Sequence, residues 1–247
     1  IANNDVLIYT NAATDPYSAA AAGSGGAWNT ELQNNLTNTI GNAAYDIGHL
    51  FGASGGGGNA GCIGCICVDD TASTTDENKG SGFTSPADGI PQGDNFDIDY
   101  VVHEVGHQMG ANHTFSYANE GTGVNKEIGS GITIMGYAGI TSYDVASHSI
   151  DIYHQASIAQ IQSNLAGKTC PVTTSIAANN ATPVVSAGSN YTIPISTPFA
   201  LTGSATDANA GDVLTYCWEQ NDNSSTSGSG SVASPTKTSG PNWLSFP

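Results

Sequence analysis

The chain has 247 residues and a formal net charge of −17 at pH 7, because 21 acidic residues face only four lysines and no arginine. Such a surface repels polyanions, so the charge balance argues against nucleic-acid binding. No apolar run reaches the roughly 18 residues that a membrane-spanning helix needs. The length allows one large domain plus part of a second.

Three scaffold elements are predicted in the first fifty residues. Residues 6–10 are apolar and aromatic enough to predict a strand. Residues 27–42 predict a helix, because large apolar side chains recur on one of its faces. These side chains are Trp28, Leu32, Leu36 and Ile40. Residues 45–51 predict a second strand, and we interpret His49 within it as a packed or hydrogen-bonded side chain rather than a ligand.

The five cysteines indicate an oxidising compartment, because three of them crowd into residues 62–67. They are Cys62, Cys65, Cys67, Cys170 and Cys217. A second zinc site is the alternative to disulfides, but it needs a fourth thiolate or histidine at suitable spacing, and none is evident. Calcium is a further hypothesis, since the acidic loops at residues 69–79 and 207–212 offer oxygen ligands, although neither has EF-hand spacing.

Residues 103–113 carry the most informative pattern, H-E-x-x-H-x-x-G-x-x-H. His103 and His107 are four residues apart, so on a helix they share one face and can grip one ion. Gly110 can adopt the positive φ that ends a helix sharply and returns the chain, which would bring His113 in as a third ligand. We predict that Asp94, Asp97 and Asp99 cap the start of this helix.

Three histidine ligands leave a tetrahedral zinc ion one open position, where the pKa of a water falls to about 7. Glu104 projects beside the ligands and is the candidate general base. The alternative is that surface or core histidines share a segment by chance. Five fixed positions in eleven make that alternative weak.

This extended motif is similar to that of the metzincin peptidases, whose second hallmark is a methionine-containing turn beneath the metal. Residues 132–138, I-T-I-M-G-Y-A, resemble that Met-turn. By this resemblance Met135 forms an apolar floor without binding the ion; ordinary core packing is the other interpretation. Tyr137 matches a tyrosine that stabilises the oxyanion in the astacin, serralysin and pappalysin branches, and it otherwise forms pocket wall.

Within the metzincins, the chain resembles the reprolysin (adamalysin) group in its bacterial secreted form over roughly residues 1–175. The segments that carry this resemblance are residues 45–51, 79–82, 110–115 and 134–137. The chain departs from animal reprolysins at Thr114, where they usually have aspartate and many pappalysins have threonine. A pappalysin- or astacin-like peptidase of the same chemistry therefore stays open as an alternative.

The resemblance implies an α/β (α+β) catalytic domain with a twisted mixed sheet and an active-site helix. It implies an upper subdomain to about residue 113, a mainly helical lower one after it, and zymogen synthesis. It also implies a Cys67–Cys170 disulfide. Cys62 would then pair with Cys65, and Cys217 would stay unpaired. Residues 58–67 would form the upper rim and edge strand, which binds extended protein or peptide substrates by β-augmentation.

A helix is expected to begin near residue 150 and to close the catalytic domain near Leu165. Residues 176–247 change to a Pro-, Thr- and Ser-rich texture and are predicted as a β-rich segment, with strands over 199–207 and 212–218. It resembles an Ig-like module, but about seventy residues are too few for seven strands, so it is either a truncated module or an appendage packed on the enzyme. Its Ser/Gly-rich part, residues 221–240, is expected to be mobile.

The sequence therefore predicts a secreted, monomeric zinc endopeptidase with domains at residues 1–175 and 176–247. The rival from another class is a degenerate metzincin that acts as a binding or adhesion module through its carboxyl-terminal segment. Intact Glu104 and the three histidines argue against degeneration.

Overall fold

The computed structural model describes residues 5–176 and 178–245. They form two compact units. The first unit runs up to Pro171 and also takes in Glu219–Ser245, which we call the return segment, while the second unit spans Val172–Trp218. None of the helices in the described residues is both long and apolar enough to cross a bilayer.

The first unit contains a mixed three-stranded sheet and three main helices. In chain order these are α1 (Trp28–Thr39), β1 (His49–Phe51), β2 (Gly57–Asn59), β3 (Gly82–Ser85), α2 (His103–Met109) and α3 (Gln155–Ala166). Short helical turns cover Asp5–Leu7, Ala20–Ala22, Gly23–Ala27, Asn42–Ala44 and Gly228–Ser231, and the π-helical stretch Asn95–Val102 leads directly into α2. The predicted mixed α/β architecture is confirmed.

The strand order in the sheet is β1-β3-β2, with β3 parallel to β1 and antiparallel to β2. All four residues of β3 are buried, which fits its central place. The strand β2 lies at one edge. Residues 58–67 were expected to form the upper rim and edge strand, but the strand covers only Gly57–Asn59. One side of β2 is therefore not paired within this sheet.

The helix α1 covers the sheet with the apolar face that its periodicity predicts. Trp28, Leu32 and Leu36 are buried, and the ring of Trp28 meets that of Phe83 in β3 edge to face, with centroids 5.4 Å apart. Beside this contact, buried Asn29 donates a hydrogen bond of 2.5 Å to the Ser81 carbonyl. These contacts fix the position of β3 relative to α1.

The prediction of a strand over residues 6–10 is wrong. Asp5–Leu7 form a 3-10 turn, and the side chains of Val6 and Ile8 are 57% and 65% exposed. A strand needs a neighbour that accepts its backbone hydrogen bonds. In the sheet formed by the described residues, β1 is the outermost strand on that side.

Two disulfides lie in the first unit, with the pairing that the resemblance implied. Cys67 is joined to Cys170 across 103 residues of sequence, and Cys62 is joined to Cys65. The long link ties the loop after β2 to the end of α3. Closing a loop of this length stabilises a fold by about 4–5 kcal/mol in the chain-entropy account.

The return segment is fastened to the first unit, although its composition suggested mobility. The Ser224 amide donates to the Asn125 carbonyl at 2.8 Å, and the Gly228 amide donates to the Tyr117 carbonyl at 2.8 Å. Ser224 and Ser231 are buried. The return segment therefore pairs through its backbone with a neighbouring loop, a contact that its Ser/Gly composition does not indicate.

The second unit contains one antiparallel ladder in the residues that the structure describes. It joins β4 (Val184–Ser186) to β5 (Ser204–Thr206). The strand predicted over residues 199–207 is limited to β5, and residues 212–218 have no strand. Two strands do not make a sandwich, so the Ig-like assignment stays a prediction.

Buried Glu127 joins the chain just after α2 to the Met-turn. Its Oε1 accepts hydrogen bonds from the amides of Ile132 and Thr133 at 2.9 and 3.0 Å. Its Oε2 accepts from the hydroxyls of Thr133 and Thr114. Glu127 is only 3% exposed. These four donors therefore supply the hydrogen bonds that a surface carboxylate would receive from water.

We expect Glu127→Ala to lower the free energy of unfolding by about 3 kcal/mol or more, because it leaves four buried donors without an acceptor. Glu127→Gln keeps one carbonyl oxygen for the two amides and should cost less. Urea unfolding of the chelator-treated protein measures both effects. The partly exposed Glu77→Ala is the control, with an expected change within about 0.5 kcal/mol. A Glu127→Ala cost equal to that of the control would contradict this role.

Candidate metal centre

The helix α2 ends where the motif predicts. Gly110 has φ of 118° and ψ of 3°, and its amide closes the last turn on the carbonyls of Gly106 and His107. A side chain at position 110 would be strained in this left-handed conformation. The reversal brings His113 back to the face that carries His103 and His107.

The predicted capping of this helix by aspartates is wrong where the structure gives their partners. Asp94 lies at the start of the π-helical stretch and makes no side-chain cap. Asp99 accepts a hydrogen bond from the Ser149 amide at 3.0 Å and contacts His148 Nδ1 at 3.1 Å. Asp99 therefore fastens the loop that follows the Met-turn instead of the helix end.

The three motif histidines converge. Their ligand atoms all lie within 4.8 Å of one another, and Nε2 of His107 is 3.0 Å from Nε2 of His113. His103 and His107 are 4% and 6% exposed, and His113 is 17% exposed. The arrangement places three imidazoles around one point.

The second nitrogen of each ring faces an oxygen acceptor. His103 Nδ1 lies 2.6 Å from the Ile134 carbonyl oxygen, and His107 Nδ1 lies 2.7 Å from that of Ala111. His113 Nδ1 lies 3.0 and 3.1 Å from the two carboxylate oxygens of Glu120. An acceptor at Nδ1 places the proton there, which leaves the Nε2 lone pair for the shared centre.

Burial also keeps the three rings neutral. The pKa of His103 is held well below its ordinary value, by burial first and then by the neighbouring His107 and His113. Burial lowers the pKa of His107. Burial, with His107 beside it, lowers the pKa of His113 to about 3. Neutral imidazole is the form that binds metals, so the site needs no deprotonation at pH 7.

Glu104 lies beneath the edge strand β2. The residue is 8% exposed, and burial raises the pKa of its carboxyl group to about 8, against a smaller lowering effect of the Ala60 backbone. A Cβ atom on Gly58 would come within 2.5 Å of the Glu104 side chain. Glycine at position 58 is therefore required for this close approach.

Tyr137 closes one side of the cluster. Its ring centroid lies 4.7 Å from that of His113 and 5.5 Å from that of His103. Burial, and then the charge of Glu104, raise the pKa of its hydroxyl group. The hydroxyl therefore stays protonated at neutral pH and can donate a hydrogen bond.

Met135 belongs to a buried apolar cluster beside α2. It is fully buried and packs with Ala111 and Ile134 in one apolar cluster. Its backbone carbonyl accepts a hydrogen bond from the Thr114 amide at 3.0 Å. The Met-turn therefore contacts His103 through the Ile134 carbonyl, and the residue that follows His113 through the Met135 carbonyl.

The donor set fits zinc. Three neutral imidazoles, two of them buried and the third partly buried, are typical of catalytic zinc sites. Among the described residues this is the one group of three His, Cys, Asp or Glu side chains arranged to hold a metal. In the acidic loop proposed for calcium, Asp69 pairs with the Lys79 ammonium group at 2.5 Å.

The sequence pattern does not single out Glu120 or Glu127. Both lie in the irregular loop between His113 and the Met-turn, where no periodicity indicates which way a side chain points. One signal was present for Glu120, since metal-binding imidazoles commonly pair with carboxylates. A search for acids near the third histidine would have found it. For Glu127, a buried hub with no spacing rule, the sequence offers no comparable signal.

Comparison with known proteins agrees with this geometry. A family model described as metallo-peptidase family M12B, reprolysin-like, matches residues 1–165. The comparisons with curated proteins and with solved structures gave no match. The family match covers the sheet, α2, the three histidines and the Met-turn. The chain belongs to the M12B reprolysin-like metallopeptidase family.

Proposed function

We propose that the protein is a secreted zinc endopeptidase that cleaves extended protein substrates, with Glu104 as its general base. The observation that carries this proposal is the placement of three neutral imidazoles and one buried glutamate on α2 and on the chain that turns back after Gly110. Two disulfides in the first unit support an oxidising, extracellular location. The intact donor set favours a peptidase over a degenerate binding module.

Glu104 would take the proton of the attacking water and pass it to the leaving amine. Zinc, when bound, supplies a Lewis acid that lowers the pKa of a water ligand to about 7 and polarises the scissile carbonyl. A cation beside Glu104 favours the ionised carboxylate, so we expect its pKa to fall below about 8 in the loaded enzyme. The glutamate can then act as a base at neutral pH.

The edge strand β2 is the proposed substrate platform. A peptide added along its outer side would continue the sheet by backbone hydrogen bonds. Gly57 and Gly58 carry no side chains that would obstruct such a strand, and Glu104 lies directly below. This arrangement would hold a scissile peptide over the three histidines in an extended conformation.

Tyr137 would donate a hydrogen bond to the oxyanion as the substrate carbonyl becomes tetrahedral. Its raised pKa supports a donor that keeps its proton, and its ring lies against two of the three ligands.

The Glu104→Gln variant is expected to lose at least about 10³-fold in kcat/KM on unfolded protein substrates, because it removes the base. Its zinc content should stay stoichiometric, since the three imidazoles are intact. Hydrolysis assays and elemental analysis of the same samples measure both. Glu77→Gln is the matched control with unchanged rate. A Glu104→Gln variant that retains a tenth of the wild-type rate would refute the assignment.

The Tyr137→Phe variant is expected to lower kcat by roughly 10²-fold while KM changes little, because the donor acts in the transition state. Steady-state kinetics on a quenched peptide separate the two constants. Tyr143→Phe is the control, as it removes a hydroxyl from a ring farther along the same aromatic group. If KM rises and kcat does not change, Tyr137 is pocket wall instead.

The metal-free protein should carry a pH-dependent instability at Glu104. Folding raises the pKa of this carboxyl group from 4.5 to about 8, so the folded state binds its proton more tightly than the unfolded state. The free energy of unfolding therefore falls as pH rises from about 4.5 to 8. The histidines work in the opposite sense below pH 6.5, because their pKa values are lowered.

Chelator-treated Glu104→Gln should therefore gain stability over the chelator-treated wild type as pH rises. The contribution of the histidines is common to both proteins and cancels in the difference. We expect the difference at pH 8 to exceed that at pH 4.5 by on the order of 3 kcal/mol. Urea unfolding at a series of pH values measures it. A difference that is constant with pH would contradict the buried, proton-binding state of Glu104.

A further inference from the structure

We propose that Glu120 is a positioning residue for His113, whose ring it holds so that Nε2 faces the metal. This role rests on the proposed zinc function and adds a residue outside the metal-binding motif. Glu120 would not bind the ion itself. It would act through the imidazole, as carboxylates beside metal-bound histidines do.

The third histidine is held differently from the first two. His103 and His107 lie on α2, and their Nδ1 atoms face backbone carbonyl oxygens. His113 lies beyond the helix end, where no helical turn fixes its direction. Its Nδ1 faces the side chain of Glu120. Of the three Nδ1 contacts in the site, this is the one made to a side chain instead of the backbone, so a substitution can remove it.

The contact has the geometry of a charge-assisted hydrogen bond. Both oxygens of Glu120 lie within 3.1 Å of His113 Nδ1, while Nε2 on the far side of the ring points to His107 Nε2 at 3.0 Å. One face of the ring stacks on Phe115, with centroids 4.6 Å apart. Packing therefore restricts tilting of the ring, and the carboxylate restricts its rotation.

A carboxylate also does more than a carbonyl. Its full charge makes the imidazole a stronger electron donor to the metal, in addition to fixing the tautomer. Glu120 is 38% exposed and His113 is 17% exposed, so the pair is partly shielded from water. The third ligand, the one least constrained by the helix, thereby receives the most strongly polarising partner of the three.

A positioning residue must itself be held, and the loop that carries Glu120 is fastened on both sides. The Tyr117 carbonyl accepts from the Gly228 amide, and the Asn125 carbonyl accepts from the Ser224 amide, each at 2.8 Å. Asn119, the neighbour of Glu120, donates to the Ser224 carbonyl at 3.3 Å. The return segment therefore braces this loop next to the third ligand.

The test compares the zinc affinity of Glu120→Ala and Glu120→Gln with wild type in the full chain, by competition against a chromophoric chelator at fixed pH. We expect Glu120→Ala to weaken zinc binding by about 10- to 100-fold. Glu120→Gln should lie between the two, since its amide oxygen still accepts from Nδ1 but carries no charge. Glu77→Gln, a charge-matched control in another loop, should bind zinc as wild type does.

A second readout separates positioning from a general loss of stability. In the cobalt-substituted protein the visible absorption bands report on ligand geometry, and we expect them to change in both Glu120 variants but not in the control. Wild type that binds zinc stoichiometrically, with equal affinity and an identical cobalt spectrum in Glu120→Ala, would overturn the role of Glu120 alone. Wild type that binds no zinc would overturn the proposed function and this role with it.

Discussion

The structure depends on one repeated interaction: each imidazole of the site has an oxygen acceptor at Nδ1. The acceptors are the carbonyls of Ile134 and Ala111 and the carboxylate of Glu120. Because each acceptor fixes a tautomer, three Nε2 lone pairs face one point before any metal arrives. Preorganisation of this kind lowers the stability of the fold, because imidazoles and a glutamate that are shielded from water lose their hydration. The surrounding fold must offset that cost.

Much of the first unit can be understood as support for these acceptors. The Ile134 carbonyl belongs to the Met-turn, and Glu127 holds that turn through the amides of Ile132 and Thr133. The same carboxylate accepts from Thr114, the residue directly after His113. A carboxyl group therefore lies beside position 114 even though the chain has threonine there. It comes from Glu127, thirteen residues further on, and it couples the third ligand to the turn that orients the first.

The sequence predicted the features that are set by local geometry. The histidine spacing on α2, the left-handed Gly110 and the apolar face of α1 all follow from helix periodicity and the freedom of glycine. Features that depend on distant partners were not predicted. Residues 6–10 looked like a strand, but a strand exists only where a neighbouring strand pairs with it. The backbone contacts between the return segment and the rest of the first unit were not predicted either, because the Ser/Gly pattern gives no clue to them. Glu120 lies in a loop whose path no periodicity describes.

X-ray absorption at the zinc edge of the zinc-loaded full chain tests the central claim most directly, because it counts and identifies the atoms around the ion. The account predicts three imidazole nitrogens at about 2.0–2.1 Å and one further light atom in the open position. Sulfur scattering at about 2.3 Å, which thiolates would give, would contradict the three-imidazole site. So would multiple-scattering intensity that fits fewer than three imidazoles.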